Sequence, residues 1–149
     1  MVGSAVVFRF SGLVLVVLGL LAGNASAQQT PVSDADRTAI KSIIQQQVDA
    51  FRRDDGPAAF GYASPAIREM FGTPDIFMDM VRQGYPMVYR PRLFDFAEIV
   101  TRDGRPTQKV RVIGPDGRRH TAWYPMTQLP DGTWRIDGCY LEAAEEHQA

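Results

Sequence analysis

The Asp-Gly dipeptides Asp103-Gly104, Asp116-Gly117 and Asp131-Gly132 punctuate the C-terminal part of the chain, and each stands between runs in which apolar and polar residues alternate. Asp-Gly in that setting is the strongest short-range hairpin signal, because both residues accept the positive φ of a tight turn. RPRLFDFAEIVT, TQKVRVIG, RHTAWYPMTQL and TWRIDGCYLEA therefore read as four strands joined by RDGR, GPDG and LPDG. Short joints make an antiparallel meander, and such a sheet has one face that must be covered.

The cover has to come from upstream, where the apolar period is that of a helix. Ser33 has the character of an N-cap, with Asp36 at the capping-box position. Ile40, Ile43, Ile44, Val48 and Phe51 then recur at helical spacing, and the helix is expected to end near Asp54-Asp55-Gly56. A weaker turn, PAAFGYA, follows. SPAIREMFG and TPDIFMDMVRQG each open with a hydroxyl cap and a proline and close on glycine, which is the usual asymmetry of a short helix. Ile67, Met70 and Phe71 are expected on the apolar face of the first, and Ile76, Phe77, Met80 and Val81 on that of the second. The expected architecture is α+β, with N-terminal helices packed on a curved four-stranded antiparallel meander in a cone-like roll. At 149 residues there is room for one such domain.

Met1 to Ala27 reads as a cleavable export signal. It carries Arg9, an apolar run from Leu13 to Ala22, and Ala25-Ser26-Ala27 as a small-x-small cleavage site. A bilayer span needs about twenty apolar residues, so this run is too short for a stable anchor. The chain then divides into a leader (1–27), a polar lead (28–33), one domain (34–142) and a charged, frayed tail (143–149). The expected address is secreted or periplasmic. The formal net charge of the whole chain is −1. That leaves no basic surplus for nucleic acid. Cys139 is the only cysteine, so it is free or paired with a second chain. His120 and His147 are the only histidines, which leaves no metal-ligand cluster, and no motif implies a cofactor. His120 reads as a strand surface or edge residue.

FGTPD (71–75), GYPMVYRPR (84–92), VIGPDGR (112–118) and DGTWRIDGC (131–139), in this order, resemble a family of small bacterial secreted proteins known as a domain of unknown function. The layout is also similar to the cone-shaped nuclear-transport-factor-two-like fold of ketosteroid isomerases and polyketide cyclases. The first resemblance implies a fold and an address, with no activity and no catalytic residues to carry over. The second implies a cavity in which a carboxylate can act as a base, and the candidates are Asp137 and Asp49.

Two stretches hold the candidate binding residues. In GYPMVYRPR, Pro86 and Pro91 bias Tyr85 and Arg90 toward extended backbone. Arg90 and Arg92 would then project to one side, while Tyr89 and Pro91 face the other way. Two such guanidinium forks can grip a carboxylate or phosphate. They can equally pair with Asp75, Asp79 or Asp95 and lock the corner between helices and sheet. In the last strand, Trp134, Ile136, Gly138 and Tyr140 are expected on the core face. Arg135, Asp137, Cys139 and Leu141 are expected opposite, as a polar pocket or a solvated face. A Cys139–His120 pair would need the two to be neighbours.

The functional expectation is an exported, non-catalytic module. It would bind a small apolar or anionic ligand in its cavity, with Met70, Met78, Met80, Met87 and Met126 as adaptable lining, or a partner, including a second copy, on its outer sheet face. The alternatives are an isomerase, dehydratase or cyclase using Asp137 or Asp49, and a structural envelope protein. An enzyme needs a buried ionisable group beside an open cavity, a carrier needs the cavity alone, and a structural protein needs neither.

Overall fold

A computed structural model describes residues 31–144. The expected leader lies outside the described residues, as does most of the expected tail. Five helices precede five strands: α1 (Asp34–Arg52), α2 (Gly56–Gly61), α3 (Pro65–Phe71), α4 (Pro74–Gly84), α5 (Pro86–Tyr89), β1 (Leu93–Arg102), β2 (Arg105–Ile113), β3 (Arg119–Gln128), β4 (Trp134–Ile136) and β5 (Tyr140–Ala143). The helices pack on a curved antiparallel sheet, and the fold is α+β.

The caps explain the helices. Ser33 Oγ accepts from the Asp36 amide at 3.1 Å and donates to Asp36 Oδ2 at 2.8 Å. Asp55, Ser64 and Thr73 cap α2, α3 and α4 in the same way, each just before a proline in the first turn. α1 ends at Arg52, close to the expected place, but the glycine expectation fails there. The left-handed residue after it is Asp54, at φ 54°, and not Gly56. Gly56 instead opens α2, where a Cβ would stand 3.1 Å from Met78 Cγ. Its small size is thus used for packing.

The sheet runs β1-β2-β3, with β4 and β5 both on the far edge of β3. The β1–β2 joint is the expected tight turn, with Asp103 at φ 49° and Gly104 at φ 74°. A bulge interrupts β1 between Phe96 and Ile99. The buried Gln108 amide fills it, donating to the carbonyls of Ala97 and Lys109 at 2.8 Å each.

The expected fourth strand is two strands. β4 pairs Ile136 with Met126, and β5 pairs Tyr140 with Trp123. Between them the Asp137 amide still donates to the Pro125 carbonyl at 2.9 Å, Gly138 and Cys139 leave the ladder, and the pairing slips by one residue. A one-residue slip turns every later side chain to the opposite face. Trp134 and Ile136 are therefore buried as expected, but Tyr140 is 64% exposed, while Cys139 and Leu141 pack against the core. Ala143, expected as the start of the tail, closes β5 beside Glu142; Trp123 Nε1 donates to the Glu142 carboxylate at 3.0 Å.

The interior is two apolar clusters. One joins Ile40 and Ile44 of α1 to Val110, Val112, Ala122, Tyr124, Met126, Trp134 and Ile136 of the sheet. The Trp134 indole fastens it to the start of α1 by donating to Asp36 at 2.9 Å. The other joins Ala50 and Phe51 at the end of α1 to Ala59, Phe77, Met78 and Val81 of α2 and α4. Met78 is buried although the pattern assigned the apolar face of α4 to its neighbours, and Ile76 is 55% exposed. α3 buries no residue fully, and Met70 on it is 73% exposed.

Candidate functional site

The two clusters do not close on each other. Along their seam lies a cleft of about 290 Å³, walled by Phe51, Phe77 and Val81 on one side and by Val88, Tyr124 and Ile136 on the other. Ile67, Met70, Phe71 and Met80 form its helical rim, and Asp137 to Tyr140, around the break between β4 and β5, form the opposite rim. No lysine, arginine or histidine lines it. Of the five methionines considered as lining, Met70 and Met80 take that place, whereas Met78 and Met126 are buried in the clusters.

Uncharged polar groups gather at one end of the cleft. Tyr124 is buried, its hydroxyl has no hydrogen-bond partner of normal geometry, and it faces the Cys139 thiol. Burial pushes the Tyr124 phenol well above its ordinary pKa, with the thiol adding to the effect. Burial likewise raises the Cys139 thiol from 9.0 to about 12. Tyr85 is raised in turn, first by burial and then by Cys139 and Tyr140. All three groups are neutral proton carriers at neutral pH. A thiol held this far from ionisation is a weak nucleophile at neutral pH. His120 is not beside it: His120 pairs with Ala143, three residues beyond the Tyr140–Trp123 pair that follows Cys139.

Asp137 sits on the rim with both carboxylate oxygens engaged. Oδ1 accepts from the Ser64 hydroxyl at 2.7 Å, and Oδ2 accepts from the Arg105 guanidinium. Its side chain is 14% exposed. Arg135, expected as its neighbour in charge, instead donates to the Trp134 carbonyl at 2.8 Å. Asp49 does not line the cleft. It stays on the outer side of α1, accepting from Gln45 at 3.0 Å and Arg52 at 3.3 Å.

GYPMVYRPR folds differently from its expected extended form. Pro86 to Tyr89 make one helical turn, and the strand begins only at Leu93. A proline at the start of a turn needs no amide donor, so the same residue that forbids a central strand permits this helix. The two arginines diverge. The Arg90 guanidinium lies 4.6 Å from the centre of the Tyr89 ring, donates to Asp54 at 2.9 Å and also reaches the Arg52 carbonyl. Tyr89 donates to Asp54 as well, and Arg82 reaches it at 3.4 Å. Tyr89, foremost, and then the arginines hold the Asp54 carboxyl below its ordinary pKa. Arg92 turns away toward Gly117 and uses its amide to continue the ladder, donating to Ile113 at 2.8 Å. The partner of this corner is thus Asp54, not Asp75, Asp79 or Asp95. Of the four candidates in the stretch, only Tyr85 lines the cleft.

A larger hollow of about 520 Å³ lies beyond the break, between the β1–β2 turn and β5. It is open, and three of its four charged lining side chains, Arg102, Arg105 and Glu142, have partners. Arg105 is paired with Asp137, and Arg102 with Glu142 at 3.7 Å while it covers the Trp123 ring at 4.3 Å. The outer sheet face continues this pattern with Asp95–Arg111 at 2.6 Å and Glu98–Lys109 at 3.4 Å. Among the described residues no group of three or more histidine, cysteine or carboxylate side chains can hold a metal ion, and no helix is long and apolar enough to cross a membrane.

Fold and site together define a two-layer α+β protein with an apolar cleft between its helices and the broken edge of its sheet. The chain belongs to the family described as a domain of unknown function (DUF4864), whose model matches residues 33–149. No curated protein and no solved structure gives a significant match.

The seam itself was not legible in the sequence. The only signal for it was DGC in the last strand, a glycine and a cysteine where a continuous strand would carry two larger side chains.

Proposed function

We propose that this is an exported, non-catalytic binding module that holds a small apolar molecule in the cleft between α3, α4 and the β4–β5 break. The carrying observation is the cleft's lining. It is aliphatic and aromatic along its walls and carries a few uncharged polar groups at one end, which is the usual composition of a small-molecule site. Its size places it at the small end of such sites. The absence of a cation among its lining residues supports an apolar occupant over an anionic one. The engagement of Asp137 by Ser64 and Arg105, and the outward position of Asp49, support binding over acid–base catalysis. The leader supports export, and the helices-on-curved-sheet layout supports the cone-shaped nuclear-transport-factor-two-like fold as the finer description.

The test is native mass spectrometry of the protein purified after export. A mass excess that denaturation releases is expected in the wild type. It should be lost in Ile67→Trp, which fills the rim from a helix that buries no residue fully. A wild-type protein that carries no adduct and takes up no apolar probe would retire the reading.

A further inference from the structure

Resting on the cleft reading above, we infer that the occupant carries one neutral hydrogen-bonding end, a carbonyl or hydroxyl rather than a carboxylate or phosphate, and that the Tyr124 hydroxyl is its anchor. Three buried side-chain polar atoms among the described residues lack a hydrogen-bond partner: Gln108 Oε1, His120 Nε2 and Tyr124 Oη. Gln108 uses its amide nitrogen in the β1 bulge, and neither it nor His120 lines the cleft. Tyr124 does.

A buried donor without a partner is unfavourable, and native proteins keep few of them. A phenylalanine would fill the same space, make the same edge contact with Phe94 and leave no orphan. The hydroxyl's contact with the Cys139 thiol falls short of a normal hydrogen bond, which leaves it able to donate to a bound group. The Cys139 thiol beside it, and the Tyr85 phenol beside that thiol, are also neutral. None can balance an ionised group. Burying a carboxylate or phosphate against them would leave its charge unpaired, which is far more costly than burying a carbonyl or hydroxyl that accepts one hydrogen bond. The nearest charge on the rim, Asp137, has the wrong sign for an anion.

The experiment uses four probes that share one apolar body and differ at one end: naphthalene, 2-naphthol, 2-acetylnaphthalene and 2-naphthoate. Affinities are measured by titration calorimetry near pH 7 for the wild type and for Tyr124→Phe, which removes one oxygen and keeps the ring. The inference expects 2-naphthol and 2-acetylnaphthalene to bind the wild type at least about tenfold more tightly than 2-naphthoate, with Tyr124→Phe weakening both roughly tenfold and leaving naphthalene within about twofold. If naphthalene binds but the polar ends make no difference, or 2-naphthoate binds best, or Tyr124→Phe changes nothing, the anchor is overturned while the cleft reading stands. If no probe binds, naphthalene included, the cleft reading falls and the anchor with it.

Discussion

The Ser64 hydroxyl donates to Asp137 at 2.7 Å across 73 positions of sequence. The same oxygen accepts from the Ile67 amide as the cap of α3, at 3.2 Å. The Ser64 amide meets the Ile136 carbonyl at 2.7 Å. One small residue thus starts the rim helix and ties it to the strand break on the other side of the cleft.

Ser64→Ala removes the cap and one hydrogen bond to a charged group together. Each is worth about 1–2 kcal/mol. The two share an atom, so they will not add fully, and a loss of roughly 2 kcal/mol in urea unfolding is expected. A loss below about 0.5 kcal/mol would mean that α3 is held by its apolar contacts alone.

Arg90 and Arg92 look equivalent in sequence and are not in the structure. Arg90→Lys forfeits the stacking on Tyr89 and the fork shared between Asp54 and the Arg52 carbonyl, and is expected to cost about 1 kcal/mol. Arg92→Lys keeps the backbone hydrogen bond and should stay within roughly 0.5 kcal/mol of the wild type. Thermal unfolding of the two variants side by side decides the matter, and equal losses would refute the distinction.

Cys139 makes stability depend on pH on the alkaline side. Its pKa is about 12 in the folded chain against an ordinary 9.0, so the folded state holds the proton more tightly. Stability is then fully present below about pH 9 and is lost as the pH rises from there toward 12. Tyr124 and Tyr85, both raised, act in the same direction from their own ordinary value of 10.0 upward. Urea midpoints measured across that window should fall, and Cys139→Ala should delay the first part of the fall. At pH 8 the folded thiol should react with iodoacetamide slower than the unfolded one by a factor on the order of a hundred. Equal rates would show that the thiol is neither buried nor shielded.

The parts of this fold governed by local chemistry were legible. Ser33, Ser64 and Thr73 cap where their spacing from proline and the apolar stripes placed them, and the Asp103-Gly104 turn has the two positive φ angles that the dipeptide promised. The failures share one cause, which is that long-range packing chose between locally allowed conformations. Pro86 fits a helix start as well as a strand entry, and Asp54 took the left-handed position because Tyr89, Arg82 and Arg90 converge on its carboxylate. In the candidate site, Tyr85 and Asp137 were readable as site residues. Tyr124, Val81 and Phe51 were not, because a strand or helix pattern marks a residue as inward-facing without saying whether it meets a neighbour or a gap.

The one-residue slip at Asp137–Cys139 also divides labour along a single stretch of chain. Trp134 and Ile136 before it answer to the packing of α1, and a change there unsettles the whole core. Gly138 and Cys139 step out of the ladder toward the cleft, while Asp137 pins the step to Ser64 and Arg105. The frame of the core and the wall of the pocket therefore lie on one continuous stretch of chain, and Asp137 joins them.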